Sequence, residues 1–321
     1  MMKYTRLLPA LLLIASCTSN LSENNTKHTK TDKPLITQHY NITISSDLSN
    51  RLSPKLYPKA VSDVEIIKII TDCIYPKILT HKRSMNQLDQ FRIGYINQAQ
   101  VVKYHANTRL TDIDFALFKT QSERIKFLKS DFEKAKKNFV HEFDRISKNA
   151  VSNPYGSDIW TYMQQGVDDF LVNKAMSSSN IGNKKFINKY KNVLILLTDG
   201  YIETAFDNKK YGLSASKIGN FRKQYLKSGE NDIEIFYRKN PIYKIHPLTN
   251  PLLGDLEILV LELYDRTQTN SGASVHPTDM EIMRLIWTDW LKSSGVKRFE
   301  LYSKFSNKSE AEKVILKFLG V

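Results

Sequence analysis

Two stretches of this chain carry residue types that can do oxygen-ligand chemistry. Tyr40-Asn-Ile-Thr-Ile-Ser-Ser-Asp47-Leu-Ser49-Asn-Arg51-Leu runs from a β-branched segment into an acidic, hydroxyl-bearing loop. Asn192-Val-Leu-Ile-Leu-Leu-Thr198-Asp199-Gly200 repeats that grammar, an unbroken apolar run that ends in an aspartate and a glycine. A carboxylate and a hydroxyl two residues apart, as at Asp47 and Ser49, can offer two oxygens to one hard cation. In open α/β sheets, ligands bind outside the carboxyl ends of the strands, which is where Asp47, Ser49 and Asp199 would fall. A third loop, Asn153-Pro-Tyr-Gly156-Ser157-Asp158-Ile159-Trp160, adds a hydroxyl and a carboxylate. Each has a plainer role. Ser49 can simply end a strand, Ser157 can be a helix N-cap, and Asp199-Gly200 can be only a turn.

The elements that must position these loops are legible from periodicity. Ile42, Thr43 and Ile44 favour an extended chain, giving a first strand over about 39–46. Continuous apolar runs at 192–198 and 257–264 read as central strands covered on both faces. Residues 91–96 alternate as a strand, and 298–305 form a further one. Helical spacing predicts helices over 62–79, 122–149, from Ser157 or Asp158 to about 175, 214–227, 278–294 and 309–319. Ser62 with Glu65, and Ser309 with Glu312, have capping-box spacing. Residues 100–105 and 111–118 read as an edge hairpin strand or a loop, and 233–238 as a strand. This alternation predicts an α/β fold with a doubly wound, mostly parallel central sheet and helices on both faces. Residues 205–254 fall outside the alternation and read as an insertion that covers or flanks the Asp199 end of the sheet.

The N-terminus carries an address. Lys3 and Arg6, the apolar run Leu7 to Ile14, and small residues after it read as a signal peptide over 1–16. Ile14-Ala15-Ser16-Cys17 resembles the bacterial lipobox, in which cleavage precedes the cysteine and the cysteine is acylated. That resemblance implies a membrane anchor, such as palmitate, on Cys17. Residues 17–37 then form the lipidated cysteine and a polar tether, and 38–321 the folded domain. Thr18 rather than an aspartate follows the cysteine, which by resemblance to proteobacterial lipoproteins favours the outer membrane of the cell envelope. The remaining cysteine, Cys73, reads as a small buried hydrophobe.

The formal charge is +14, and removing residues 1–16 leaves 45 basic and 33 acidic residues, or +12. The basic residues are scattered and no zinc-finger or helix-turn-helix pattern accompanies them, so nucleic acid is not an expected partner. The spread fits a solvated lysine-rich surface, with anionic lipid or glycan as the sharper reading. The histidines show no paired metal spacing, and no nucleophile elbow or phosphate-binding glycine loop is present.

The order strand–Asp-x-Ser, Gly-Ser-Asp-Ile-Trp opening a helix, and apolar strand–Thr-Asp-Gly resembles a von Willebrand factor type A (vWA) domain. In that family these loops make a metal-ion-dependent adhesion site. The resemblance implies that Asp47, Ser49, Ser157 and Asp199 hold Mg²⁺ or another divalent cation, with Ser157 where the family has threonine. An open position on the ion would accept an acidic side chain from a protein partner. Arg51 departs from the pattern, because it stands where the family has a second serine and carries donors only. Two arrangements follow. Arg51 swings out and leaves a weaker metal site, or its guanidinium pairs with Asp47 or Asp199 and replaces the ion's charge. Three functions are then in view: a non-enzymatic, cation-dependent adhesion protein, a metal-free scaffold of an envelope or conjugation machine, and a metal-dependent phosphoesterase.

Overall fold

The computed structural model describes residues 34–321 except residues 155, 182–183 and 270–271. The signal peptide, Cys17 and the tether up to residue 33 lie outside the described residues. Strand β1 spans Leu35–Ser46, so it begins within the stretch read as tether. β2 spans Gln90–Gly94 and β3 Asp112–Asp114. A hairpin joins β4, Ser177–Ile181, to β5, Lys184–Leu197. β6 spans Leu256–Leu263 and β7 Arg298–Ser303. The sheet order is β3-β2-β1-β5-β6-β7, with β4 paired to the first half of β5. β2, β1, β5, β6 and β7 are parallel, while β3 and β4 are antiparallel. This is a Rossmann-like α/β sheet, and its order reverses between β1 and β5, the crevice where such sheets bind ligands.

Alternation along β1, β5 and β6 divides the core. Ile42, Ile44, Val193, Ile195, Leu197, Leu259 and Leu261 face one side. There they meet α1 (Asp63–Cys73), α3 (Phe132–Ser152) and α7 (Lys308–Leu319) through Ile67, Ile70, Phe139, Phe143, Ile315 and Phe318. Leu194, Leu196, Ile258 and Val260 face the other. They meet α4 (Ala215–Ser228), α5 (Ile233–Lys239) and α6 (Asp279–Ser293) through Phe221, Phe236, Ile286 and Trp287. Because both faces are covered, these strands read as apolar runs rather than alternating ones. A bulge at the end of β6 breaks the alternation. Glu262 has φ 75° and the register shifts between Val260 and Leu263, so Leu263 rejoins the side of Val260.

Several boundaries differ from the sequence reading. Ser62 and Glu65 form the expected capping box. The helix they open stops as α-helix at Cys73 and closes with one wide turn over Ile74–Ile78, because Pro76 has no N–H to continue the ladder. The segment read as one helix over 122–149 is two, α2 (Gln121–Ser130) and α3, joined at Asp131. The break turns Ile125 out to solvent, 42% exposed. Residues Ala99–Lys103 form a short helix, not a strand. Residues 233–238 are helical, because Asp232 caps the backbone N–H groups of Glu234 and Ile235. The last helix is capped by Asn307, which takes the Glu310 N–H, not by the Ser309/Glu312 pair. The helix expected to run to about 175 is one turn, Ile159–Thr161, followed by a wide turn over Tyr162–Gly166. Within residues 205–254 a minority of side chains join the core, among them Phe221, which packs edge to face on Phe236 and on Tyr243. Among the described residues no helix is long and apolar enough to cross a membrane.

Candidate functional site at the carboxyl ends of the central strands

The loops after β1 and β5 lie side by side because the Asp47 N–H donates to the Leu197 carbonyl at 2.9 Å, extending the ladder one residue beyond the strands. Asp47 is buried. Its Oδ1 accepts the Ser49 N–H at 3.1 Å, and its Oδ2 lies 3.4 Å from the Thr198 hydroxyl. Thr198 Oγ1 in turn accepts the Gly200 N–H at 3.1 Å. Asp199 Oδ1 accepts the Tyr201 N–H at 3.2 Å, while its backbone carbonyl takes the Tyr264 N–H at 3.0 Å.

The second loop arrives beside them. Asp158, not Ser157, is the cap of the turn at Ile159. Its Oδ1 takes the Thr161 N–H at 2.9 Å, and its Oδ2 takes the Thr161 hydroxyl at 2.8 Å and the Ala205 N–H at 3.0 Å. That last bond ties the second loop to the chain that follows Asp199. Ser157 is thereby released from capping, and its Oγ accepts from Gln100 Nε2 at 3.3 Å. Asp47, Ser49, Ser157 and Asp199 all line one cavity of about 470 Å³. The structure therefore brings all four sequence-predicted residues together.

Arg51 does not swing out, and it takes the second arrangement read from the sequence in part: it pairs with Asp47 at 3.8 Å but has a closer ionic partner in Asp63. It is 2% exposed and turns back beneath the Asp47 loop. Its Nε donates to the Asp47 carbonyl at 3.0 Å, and its Nη2 donates to the Leu197 carbonyl at 2.8 Å and to Ser46 Oγ at 3.2 Å. Its main ionic partner is Asp63 at the first turn of α1, bonded by Nη2. Asp47 Oδ2 lies 3.8 Å from Nε. Lys59 pairs with the other Asp63 oxygen and lies 3.2 Å from Glu262, the bulge residue of β6. Burial alone would disfavour the guanidinium charge, but Asp63 and Asp47 outweigh it and raise the Arg51 pKa. Burial likewise works against the Asp63 carboxylate, yet Arg51 and Lys59 hold it well below the usual carboxylate range.

Sequence reasoning missed the other wall of the cavity. Tyr57, Tyr201, Glu203 and Arg266 line it. The Arg266 guanidinium lies 3.9 Å from the Tyr201 ring centre, its Nη2 donates to Tyr57 Oη at 2.9 Å, and it stands 3.8 Å from Asp199 Oδ2. Tyr201 is fixed by its hydroxyl, which donates to Asp279 Oδ2 at 2.7 Å; Asp279 also pairs with Arg222. Asp63 and Asp279 thus play matched parts, first-turn aspartates of α1 and α6 that hold Arg51 and Tyr201 in place. Arg266 follows a central parallel strand, as Asp47 and Asp199 do, and that position was the signal that could have found it.

The electrostatics centre on Asp199. Burial, and then the neighbouring Asp47 carboxylate, push its pKa up to about 7, against the pull of Arg51 and Arg266. The donor set fits a divalent cation only in part. Four oxygen-bearing side chains line the cavity, but a buried guanidinium, Arg51, lies beneath Asp47, and a second, Arg266, faces Asp199. The charge of the two carboxylates is met from within the chain. Among the described residues no group of three or more His, Cys, Asp or Glu is placed to hold a metal ion.

Gly200 is fixed by its surroundings. Its φ is +89°, and a Cβ there would stand 2.1 Å from Met283 Sδ and 2.6 Å from Leu263 Cδ2. The Trp287 indole donates to its carbonyl at 2.9 Å. Gly200→Ala is expected to lose about 2–4 kcal/mol from backbone strain and overpacking together, measurable by urea unfolding.

Comparison of the sequence with protein-family models and with curated proteins found no match.

Proposed function

We propose that this chain is a non-catalytic, lipid-anchored protein of the bacterial cell envelope, with the outer membrane favoured. Its vWA-like domain is a metal-independent docking scaffold. The observation that carries this reading is Arg51. A buried guanidinium bonded to Asp63, the Leu197 carbonyl and the Asp47 carbonyl occupies the underside of the loop cluster. Together with Arg266 it supplies the positive charge that an ion would bring. The sheet order and the meeting of three loops at its switch point support the vWA relationship. Anchoring rests on Cys17 and its lipobox-like setting. The cavity, lined by Ser49, Ser157, Tyr57 and Arg266, is the docking face for a protein partner.

A photo-crosslinking side chain at Glu203, an exposed residue of that cavity, tests this in cells. A defined adduct with an envelope protein is expected, with a yield unchanged by chelator and reduced several-fold by Arg266→Glu. The same probe at Lys297, on the loop before β7, is expected to give no such adduct.

One observation favours the second reading, cation-dependent capture of an acidic group. Burial, and then the Asp47 carboxylate beside it, push Asp199 up to about 7, and a divalent cation held by Asp47, Ser49, Ser157 and Asp199 would relieve the part that comes from Asp47. An adduct that disappears with chelator would favour it.

A further inference from the structure

A second cavity, of about 340 Å³, lies on the opposite face of β1 and β2 from α1, against the segment 162–171. It shares no lining residue with the loop cavity. Thr43 and Arg92 are register partners on adjacent strands, and both line it. Thr43 Oγ1 and Arg92 Nε are both buried and make no hydrogen bond among the described residues. A buried donor without a partner is costly, and two that line one cavity point to a ligand.

Arg92 is held so that one edge makes no hydrogen bond among the described residues. Its side chain is 7% exposed. Nη1 donates to Asn41 Oδ1 at 3.2 Å and to the Phe170 carbonyl at 2.9 Å, and the Phe170 ring centre lies 4.0 Å from the guanidinium carbon. These contacts fix the plane and leave the Nε–Nη2 edge without a hydrogen bond among the described residues. Two parallel N–H groups on such an edge match a carboxylate. Gly94 keeps the wall beside it bare: a Cβ there would meet Ser45 Oγ at 2.6 Å and Thr43 Cγ2 at 2.7 Å.

The charge around this edge is two-sided. Asp112 Oδ1 lies 3.9 Å from Arg92 Nε, beyond hydrogen-bond reach. Asp112 and Asp168 line the same cavity, as does Arg109 at its exposed rim. A simple anion would meet Asp112, and a simple cation would meet Arg92. A molecule carrying both charges on neighbouring atoms satisfies both. Val101 and Leu171 add apolar wall, and the volume is within the range of small-molecule sites.

We propose that this cavity binds a zwitterionic amino acid, its carboxylate on the Nε–Nη2 edge of Arg92 and on Thr43 Oγ1, its ammonium on Asp112, and its side chain against Val101 and Leu171. The proposal is independent of the docking reading.

The test is calorimetric titration of the full-length chain, purified in mild detergent. The probes are L-leucine, 4-methylpentanoate, which lacks the ammonium, and isoamylamine, which lacks the carboxylate. Saturable leucine binding is expected, at least tenfold tighter than either half-charged analogue. Asp112→Asn, an exposed change, is expected to weaken leucine about tenfold and leave 4-methylpentanoate unchanged. Thr43→Val keeps the shape and removes the unpaired hydroxyl, so it is expected to raise the melting temperature without ligand while weakening leucine binding. Absence of saturable leucine binding, equal affinity for leucine and 4-methylpentanoate, or an unaltered leucine affinity in Asp112→Asn would each overturn the proposal. Absence of binding would leave ordered water as the partner of Thr43 and Arg92.

Discussion

Arg51→Ala is expected to cost about 3–5 kcal/mol of stability, the range for breaking a buried ion pair from one side. The loss has two sources. Asp63 keeps only Lys59 as an ionic partner, and the Leu197 carbonyl and Ser46 lose a donor. The variant also changes how acid acts on the protein. With Arg51 present, the folded-state pKa of Asp63 lies below its unfolded value near 3.8. That stabilisation is present above about pH 4 and is lost as pH falls through the folded pKa. Without Arg51, the Asp63 pKa rises toward its unfolded value, so the acid-dependent part of stability shrinks. Urea unfolding at pH 7 and at pH 3 would show a gap between wild type and variant that narrows at the lower pH. A variant as stable as wild type at pH 7 would mean that Arg51 is not the clamp described here.

Asp199→Asn is expected to have the opposite sign. The folded state holds the Asp199 proton up to about pH 7, whereas the unfolded chain releases it near 3.8. Between those values the folded state binds more protons, so stability falls as pH rises from about 4 through about 7 and then levels off. A shift of about three pH units corresponds to roughly 4 kcal/mol at most. Asparagine keeps the oxygen that accepts the Tyr201 N–H and removes the charge that faces Asp47. The variant should therefore gain on wild type above pH 7 and match it near pH 4. Melting curves across pH 4 to 9 would show this as a flatter profile for the variant. In the Arg51→Ala background, where Asp199 loses a positive neighbour, the gain should be larger.

The strands that carry the site were legible because they are buried on both faces, which leaves an unmistakable apolar run at 193–197 and a β-branched one at 42–44. Three site residues, Asp47, Ser49 and Asp199, followed from them, since a residue just past a central strand has few places to go; Ser157 came from the Pro- and Gly-marked loop before Ile159. The short elements were not legible. At 233–238 alternating isoleucines read as a strand, but the Asp232 cap and burial of Phe236 and Tyr237 under α4 favour a helix. At Asp131 nothing in the helical spacing marks the junction between α2 and α3. The direction of Arg51 was the larger miss. Its partner, Asp63, is a first-turn residue of the next helix, twelve positions away, and that approach is set by how α1 packs on β1. Arg266 escaped notice because the aromatic faces that hold it, Tyr57 and Tyr201, come from two other loops.

The most direct measurement is titration of Mg²⁺ and Mn²⁺ into wild type, Asp47→Ala and Arg51→Ser at pH 7.5 by calorimetry. A metal-independent site predicts no saturable binding to wild type or Asp47→Ala, and binding to Arg51→Ser, where a hydroxyl is supplied and the buried guanidinium is gone. Saturable binding to wild type that Asp47→Ala abolishes would contradict it and make cation-dependent capture the function of this face.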